Sequence, residues 1–127
     1  MDCISYTNNH TPFTEKIPVP LQRLRIKEYC ERLGLRPKFE HNEITTFSHM
    51  PILFHLVENE PKSHLLLFSL FSLPEAPDKR EKLIGLALDN GVVIHFSNED
   101  IILKDIEGLK SLEQIYRFKG EHEGNLF

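Results

Sequence analysis

The sequence predicts a single α+β domain in the order helix, three antiparallel strands, short helical connector, two strands, C-terminal helix. Three observations support this fold class. The chain has 127 residues, which is the size of one domain. Hydrophobic residues make up 40% of the chain and charged residues 27%, which is typical of a globular protein with a core. The spacing of the apolar residues changes from helical to strand-like and back again along the chain.

The first 19 residues are predicted to form an N-terminal arm. Pro12 and Pro18 interrupt it, and proline prevents a helix from starting earlier. Whether the arm docks on the domain or stays free is left open, because it also carries the apolar residues Ile4 and Tyr6. The domain proper is predicted to span residues 20–118, and residues 119–127 form a C-terminal tail.

The first element of the domain is a predicted helix that starts near Leu21. Ile26, Tyr29, Cys30 and Leu33 stand at positions i, i+3, i+4 and i+7, which places them on one face of a helix. Gly34 follows directly and is a typical helix terminator. We therefore expect the helix to end at Leu33.

Three strands are predicted next, at Glu43–Ser48, Ile52–Val57 and His64–Leu73. They are rich in apolar, β-branched and aromatic residues. The polar residues 58–62 between the last two read as a hairpin loop, which indicates antiparallel pairing. Prolines then end the sheet segment, and Asp78–Lys82 is predicted to be a short helical connector.

The segment Leu83–Phe96 allows two interpretations. Its first half fits a helix that stops at Asn90-Gly91, and the same dipeptide between two apolar runs is also a strong hairpin signal. The hairpin of two strands is favoured because Gly85 weakens a helix. A final helix is predicted from Asp105 to Phe118, on the helical spacing of its apolar residues.

The predicted strands are apolar on both faces. Ile52–Val57 and His64–Phe71 show almost no alternation of apolar and polar residues, whereas a sheet with one solvated face shows clear alternation. Two alternatives follow. Either the two long helices divide between the faces, or both cover one face and a partner covers the other, since a large exposed apolar patch marks an interaction surface.

No motif of the chain predicts catalysis, a metal or a cofactor. The seven histidines show no metal-ligand spacing, and the sequence contains neither a phosphate-binding glycine loop nor a serine elbow. The chain is therefore predicted not to be an enzyme, with no catalytic or metal-binding residue and no cofactor. Cys3 and Cys30 are far apart in sequence, so no disulfide framework is expected.

Charge and hydropathy limit the partners and the compartment. The chain has 15 Lys and Arg against 19 Asp and Glu, a net charge of -4. A nucleic-acid binder usually shows a basic excess or a basic stripe. Neither is expected in this chain, so nucleic acid is not expected as a partner. No apolar run approaches the roughly 18–20 residues that span a bilayer, and the polar start is not a secretory signal. A cytoplasmic protein without membrane insertion is predicted.

The order of the elements resembles a known family. A helix ending in Arg32-Leu33-Gly34-Leu35 precedes the strands. The apolar run Leu65–Leu73 and the acidic connector Pro74-Glu75-Ala76-Pro77-Asp78 follow. Together with the size and acidity, this pattern is similar to the class I chaperones of bacterial type III secretion, over roughly residues 20–118.

The resemblance implies a function, a partner and a binding surface. The chain would be a non-enzymatic, homodimeric, sandwich-like chaperone that binds the N-terminal segment of a secreted effector and keeps it soluble and secretion-competent. Strand addition and apolar patches would hold the effector. The implied partner-binding residues are Leu21, Leu24, Ile26, Ile52, Phe54, Phe68 and Leu70.

Two further readings stay open at this level. A small acidic antitoxin-like or immunity-like protein, which binds and blocks one protein partner, fits the size and charge equally well. A small enzyme or ligand carrier would instead require His55, His64 and His95 to converge in a concave site.

Overall fold

The computed structural model describes residues 1–9, 17–44 and 49–125, the stretch 119–125 by its backbone alone. The helices and strands of the described residues are β1 Asp2–Asn8, α1 Val19–Leu33, β2 Arg36–Glu43, α2 Pro51–Asn59, β3 His64–Leu67, α3 Pro77–Asp89, β4 Val93–Phe96, β5 Ile101–Leu103 and α4 Ile106–Asn125. A 3-10 turn at Leu70–Ser72 follows β3. Helix α1 starts two residues before the predicted Leu21 and ends at Leu33 as predicted, followed by Gly34 with a φ of 71°.

The strands form one five-stranded sheet in the order β2-β1-β3-β4-β5. Neighbouring strands among β2, β1, β3 and β4 are parallel, and only β5 runs antiparallel, beside β4. Parallel neighbours need crossover connections, which the helices supply. The predicted α+β class with three antiparallel strands is therefore wrong: this is an α/β fold with a mostly parallel sheet.

The segment assigned to an N-terminal arm contains β1. This strand pairs with β2 on one side and β3 on the other, and Cys3 to Asn8 are all buried. Residues 10–16, the rest of the arm before Ile17, lie outside the described residues. At the other end of the chain, the backbone of α4 continues to Asn125.

The two-sided apolar character of the strands is explained by helices on both faces of the sheet. Leu66 packs on one face, in a core cluster with Cys3, Ile26, Tyr29, Cys30 and Leu35. Leu65 and Leu67 point to the other face, where α2, α3 and α4 supply the cover. The free thiols of Cys3 and Cys30 meet beneath α1, with their Sγ atoms 3.9 Å apart. Burial on both faces is the usual condition of parallel strands.

The predicted strand Ile52–Val57 is instead part of α2. Leu53, Leu56 and Val57 are its buried residues, at the i, i+3, i+4 spacing of one helical face, and Pro51 occupies the first turn, where proline is favoured. A short apolar run is compatible with either a buried strand or a helix. The prediction of a strand here was wrong for that reason.

Two more predicted strands are corrected. Leu83 to Asp89 belong to α3, which ends before Gly91 with its positive φ of 68°, so the favoured hairpin is wrong. Gly85 does not break this helix, although it carries no side chain to pack. The apolar run from His64 is a strand only to Leu67. Of the predicted strand Glu43–Ser48, Glu43 ends β2 and residues 45–48 lie outside the described residues.

Within the described ranges, no helix combines the length and the apolar character needed to cross a membrane.

Candidate functional site

The carboxyl ends of the parallel strands are the first place to look for a site. In open α/β sheets, ligands bind in the crevice outside these ends. Here β1 ends at Asn8, β2 at Glu43, β3 at Leu67 and β4 at Phe96. We call this region the carboxyl edge.

Glu43 is the most heavily engaged acid of the carboxyl edge. Its side chain is buried, and Oε2 accepts a hydrogen bond from the Ile52 amide at 2.7 Å. Oε1 accepts from the Tyr6 hydroxyl at 2.6 Å and from the Leu53 amide at 3.4 Å. The carboxylate therefore caps the amino end of α2, where backbone N–H groups lack partners within the helix. Both carboxylate oxygens are therefore occupied by hydrogen bonds that link β2 to β1 and to α2.

Asn8 extends this network at the end of β1. Its Nδ2 donates to the Tyr6 hydroxyl at 3.2 Å and to the Ser72 carbonyl at 3.0 Å. Its carbonyl accepts from Nε2 of Gln22 at 2.8 Å, which ties α1 to β1. Burial, then the hydrogen bond to Glu43, raises the pKa of Tyr6 far above its usual range. Tyr6 is therefore a neutral hydrogen-bond donor throughout the physiological pH range.

A hydroxyl and a carboxylate also meet after β3. The Ser69 hydroxyl donates to Oε2 of Glu99 at 2.7 Å, and the Leu70 amide donates to Oε1 at 2.8 Å. The Ser69 oxygen accepts from the Phe71 amide at 3.1 Å. A serine beside a base is the arrangement of an activated nucleophile. In this place, however, both partners hold the 3-10 turn in position, which gives the pair a structural role.

Arg80, the one buried arginine among the described residues, is also fully engaged in contacts within the protein. Arg80 is 2% exposed, and its Nε and Nη2 donate to the two oxygens of Glu113 at 2.7 and 2.8 Å. Its Nη1 donates to the carbonyls of Pro74 and Glu75 at 3.1 and 2.8 Å. The guanidinium carbon lies 3.6 Å from the ring centroid of Tyr116. This cation fastens α3 to α4 and is not free to bind an external anion.

Two histidines and a tyrosine form a chain on the α1 face of the sheet. His64 Nδ1 lies 2.9 Å from His95 Nε2, and His95 Nδ1 lies 2.7 Å from the Tyr29 hydroxyl. An enzyme or ligand carrier would require His55, His64 and His95 to converge, and of these only His64 and His95 are in contact. His55 lies exposed on α2, on the opposite side of the sheet, where it contacts Asn59.

Burial, then the charge of His64, lowers the pKa of His95 from 6.5 to about 4. The neutral ring is therefore the form that the folded protein favours, and the unfolded chain binds the additional proton below pH 6.5. We expect the free energy of unfolding to fall by about 2–3 kcal/mol as the pH drops from 6.5 to 4. Urea titrations across this range measure it.

Replacing His95 with glutamine, which does not titrate, is expected to flatten this pH dependence. The matched control is His55→Gln on the exposed face of α2, which is expected to leave it unchanged. An identical pH profile for wild type and His95→Gln would contradict the assignment.

Positive charge is concentrated in a short part of the chain. Residues 21–40 contain six Arg and Lys and three Glu, and the other 107 residues contain the remaining nine basic and sixteen acidic residues. All six basic residues are exposed; they are Arg23, Arg25, Lys27, Arg32, Arg36 and Lys38. Two of them make ion pairs, Arg25 with Glu28 at 3.9 Å and Arg32 with Asp100 at 2.9 Å. The other four form no ion pair with a described residue. We call α1 and β2 with these side chains the basic face.

Arg23 and Lys27 line a groove of about 420 Å³ between α1 and β2. Its other lining residues are Ser5, Pro20, Leu24, Ile26, Pro37 and Glu40. Both cations are exposed, and Glu40 is the single acid among the lining residues that the structure describes. The groove can therefore receive an anionic group.

The seven residues predicted to bind a partner do not form one surface. Leu21, Leu24 and Phe68 line a common groove of about 440 Å³. Ile52 and Phe54 lie on α2, across the sheet. Ile26 is 2% exposed and Leu70 is 1% exposed, so both belong to the core.

Sequence reasoning missed the polar residues that organise the carboxyl edge. Glu43 pairs with Tyr6, Glu99 with Ser69, and Arg80 with Glu113. The two partners of each pair lie 30 or more positions apart in the sequence, and no local pattern marks such pairs. The basic face was missed although it carries a sequence signal, because the prediction that the chain has no basic stripe was made without counting charge segment by segment. In the described ranges, no three His, Cys, Asp or Glu side chains cluster so that they could hold a metal ion.

The fold is similar to that of solved recombinase domains. The N-terminal catalytic domain of TP901-1 integrase matches with a TM-score of 0.67 and 20% sequence identity, over 99% of this chain and 98% of that domain. A resolvase family site-specific recombinase from Streptococcus pneumoniae matches with a TM-score of 0.67 and 12% identity, over 99% of this chain and 92% of the other. No protein-family model matches the sequence, and neither does any curated protein.

These neighbours overturn the resemblance to type III secretion chaperones. The chaperone reading required an antiparallel sheet, whereas the sheet here is mostly parallel and matches recombinase domains. The predicted homodimeric effector chaperone and the antitoxin-like alternative are both wrong. The prediction of a non-enzymatic protein is contradicted by its likeness to catalytic domains. The exclusion of nucleic acid is contradicted too, since site-specific recombination is carried out on DNA.

Proposed function

We propose that this chain acts on DNA in site-specific recombination, as a recombinase-type domain in the cytoplasm. The observation that carries the proposal is the similarity of fold over 99% of the chain to two different recombinases, one an integrase and one of the resolvase family. The agreement of two such neighbours supports DNA as the partner of the fold.

The distribution of charge supports the same partner. DNA attracts a protein through the cations that lie against its phosphates, so the charge of one face matters more than the net charge. Residues 21–40 have a formal charge of +3, six minus three, while the rest of the chain has -7, nine minus sixteen. Such asymmetry would orient the protein with its basic face toward the duplex.

The described side chains limit what can be assigned at the carboxyl edge. Phosphoryl transfer requires a nucleophile and cations that stabilise the charge of the transition state. Ser69 holds the turn after β3, and Arg80 is occupied by Glu113 and two carbonyls. The proposal therefore assigns engagement of DNA to the described residues and assigns the cleavage step to none of them.

The test is a titration of a fluorescent duplex with the full chain, followed by anisotropy. Binding is expected in the micromolar range at low salt, and the logarithm of the affinity should fall linearly with the logarithm of the salt concentration, by roughly 0.9 per phosphate contacted. Parallel reactions with supercoiled plasmid measure strand cleavage, and nicked product would support the proposal through its chemistry. Absence of both binding and cleavage at low salt would overturn it.

A further inference from the structure

The groove between α1 and β2 has the features of a phosphate-binding surface. Arg23 and Lys27 stand four residues apart on α1, which brings them to the same side of the helix. They line one groove, are exposed, and make no ion pair with any described residue. An exposed cation pair without acidic partners can neutralise an external anion at little cost.

The spacing of the two cations suits a repeating anion. Four residues of helix advance about 6 Å along its axis, whereas successive phosphates of one DNA strand are about 3.4 Å apart along the duplex axis. Arg23 and Lys27 can therefore reach different phosphates of one strand.

Two further cations lie on β2, and two prolines line the groove. Arg36 and Lys38 are exposed on β2, which is the edge strand of the sheet. Pro20 and Pro37 line the groove, and the ring of each proline fixes the backbone angle φ at its position. Glu40 opposes the binding of an anion in this groove, because its carboxylate repels a phosphate.

We infer that this groove seats the phosphate backbone of DNA, with Arg23 and Lys27 as the contacting cations and Glu40 as a built-in repulsive element. The inference rests on the proposed function and deepens it by locating the contact surface. The surface lies beside α1 at the β2 edge of the sheet, and its residues are separate from the network of Glu43 and Asn8 at the carboxyl edge.

The test compares three variants of the full chain on the same duplex. Arg23→Gln with Lys27→Gln is expected to weaken binding about tenfold at low salt and to reduce the salt slope by about 2, one unit for each lost phosphate contact. Glu40→Gln is expected to tighten binding several-fold. Lys82→Gln with Lys110→Gln removes two exposed cations from α3 and α4, so it changes the net charge equally and is expected to have little effect.

The possible results separate this inference from the proposed function. If wild type binds DNA and the Arg23/Lys27 variant is weakened no more than the Lys82/Lys110 control, the groove is not the contact surface although the function stands. If wild type neither binds nor cleaves DNA, the proposed function itself fails. Binding to anionic lipid vesicles that depends on Arg23 and Lys27, without binding to DNA, would overturn the inference in favour of a membrane surface. Circular dichroism of each variant checks that it folds.

Discussion

Replacing Arg80 with methionine is expected to lower the free energy of unfolding by about 3–5 kcal/mol, the usual cost of removing one partner of a buried ion pair. Methionine keeps much of the volume but none of the hydrogen bonds. Glu113 would lose both contacts of its carboxylate, and the carbonyls of Pro74 and Glu75 would lose their donor. The cation above the ring of Tyr116 would be lost as well. Urea denaturation followed by circular dichroism measures the change.

Two further variants show where the cost arises. Arg80→Lys keeps the charge but cannot form the two-pronged contact with Glu113, so it is also expected to be destabilised. Arg80→Met with Glu113→Gln should recover part of the loss, because no unpaired carboxylate remains. A loss below about 1 kcal/mol for Arg80→Met would be the value expected of a surface ion pair and would contradict the buried geometry.

Replacing Glu43 with glutamine is expected to cost about 2–3 kcal/mol, the range for hydrogen bonds to a charged group in a buried place. The carboxylate accepts from three donors, two amides of α2 and the Tyr6 hydroxyl. The NH2 group of the glutamine would face a donor that now binds the carboxylate, so at least one hydrogen bond would be lost. The amino end of α2 would also lose a nearby negative charge. The same denaturation experiment measures the effect.

Glu40→Gln is the matched control for Glu43, because it makes the same chemical change on the same strand at an exposed position. It is expected to change stability by no more than about 0.5 kcal/mol. Combining Glu43→Gln with Tyr6→Phe should give a loss smaller than the sum of the single losses, since the two side chains share one hydrogen bond. Equal losses for Glu40→Gln and Glu43→Gln would contradict the capping role of Glu43.

The sequence predicted the helices with long amphipathic patterns better than the rest of the fold. Helix α1 combines a clear stripe of buried residues with a glycine in the left-handed conformation at its end, and both signals are local. The pattern of α4 is local as well. The order and direction of the strands depend on contacts between distant segments, and no local pattern carries that information.

One observation from the sequence, the apolar character of both strand faces, was consistent with a parallel sheet but was not interpreted in that way. Strands that are apolar on both faces are typical of parallel sheets covered by helices. Only two long helices were recognised from sequence, because α2 was interpreted as a strand and α3 as part of a hairpin, so it stayed open whether one face was left uncovered. Leu53, Leu56 and Val57 of α2 fit either period over so short a run. With four helices, the uncovered face and the partner invoked to cover it are no longer needed.

The polar residues of the candidate site could not be predicted from the sequence, for a different reason. Its polar groups are paired across the fold, as Tyr6 with Glu43 and Ser69 with Glu99, and each pair looks like two unrelated surface residues in the sequence. The basic face, in contrast, is visible as six cations in twenty residues once charge is counted by segment.

DNA binding by the basic face is tested most directly by following the backbone amide signals in nuclear magnetic resonance spectra while duplex DNA is added to the full chain at low salt. The shifts are expected to concentrate in α1 around Arg23 and Lys27 and in β2 from Arg36 to Glu40, with the exposed faces of α3 and α4 unchanged. These shifts are expected to disappear at high salt. A spectrum that does not change on addition of DNA would contradict the claim that this recombinase-like fold acts on DNA.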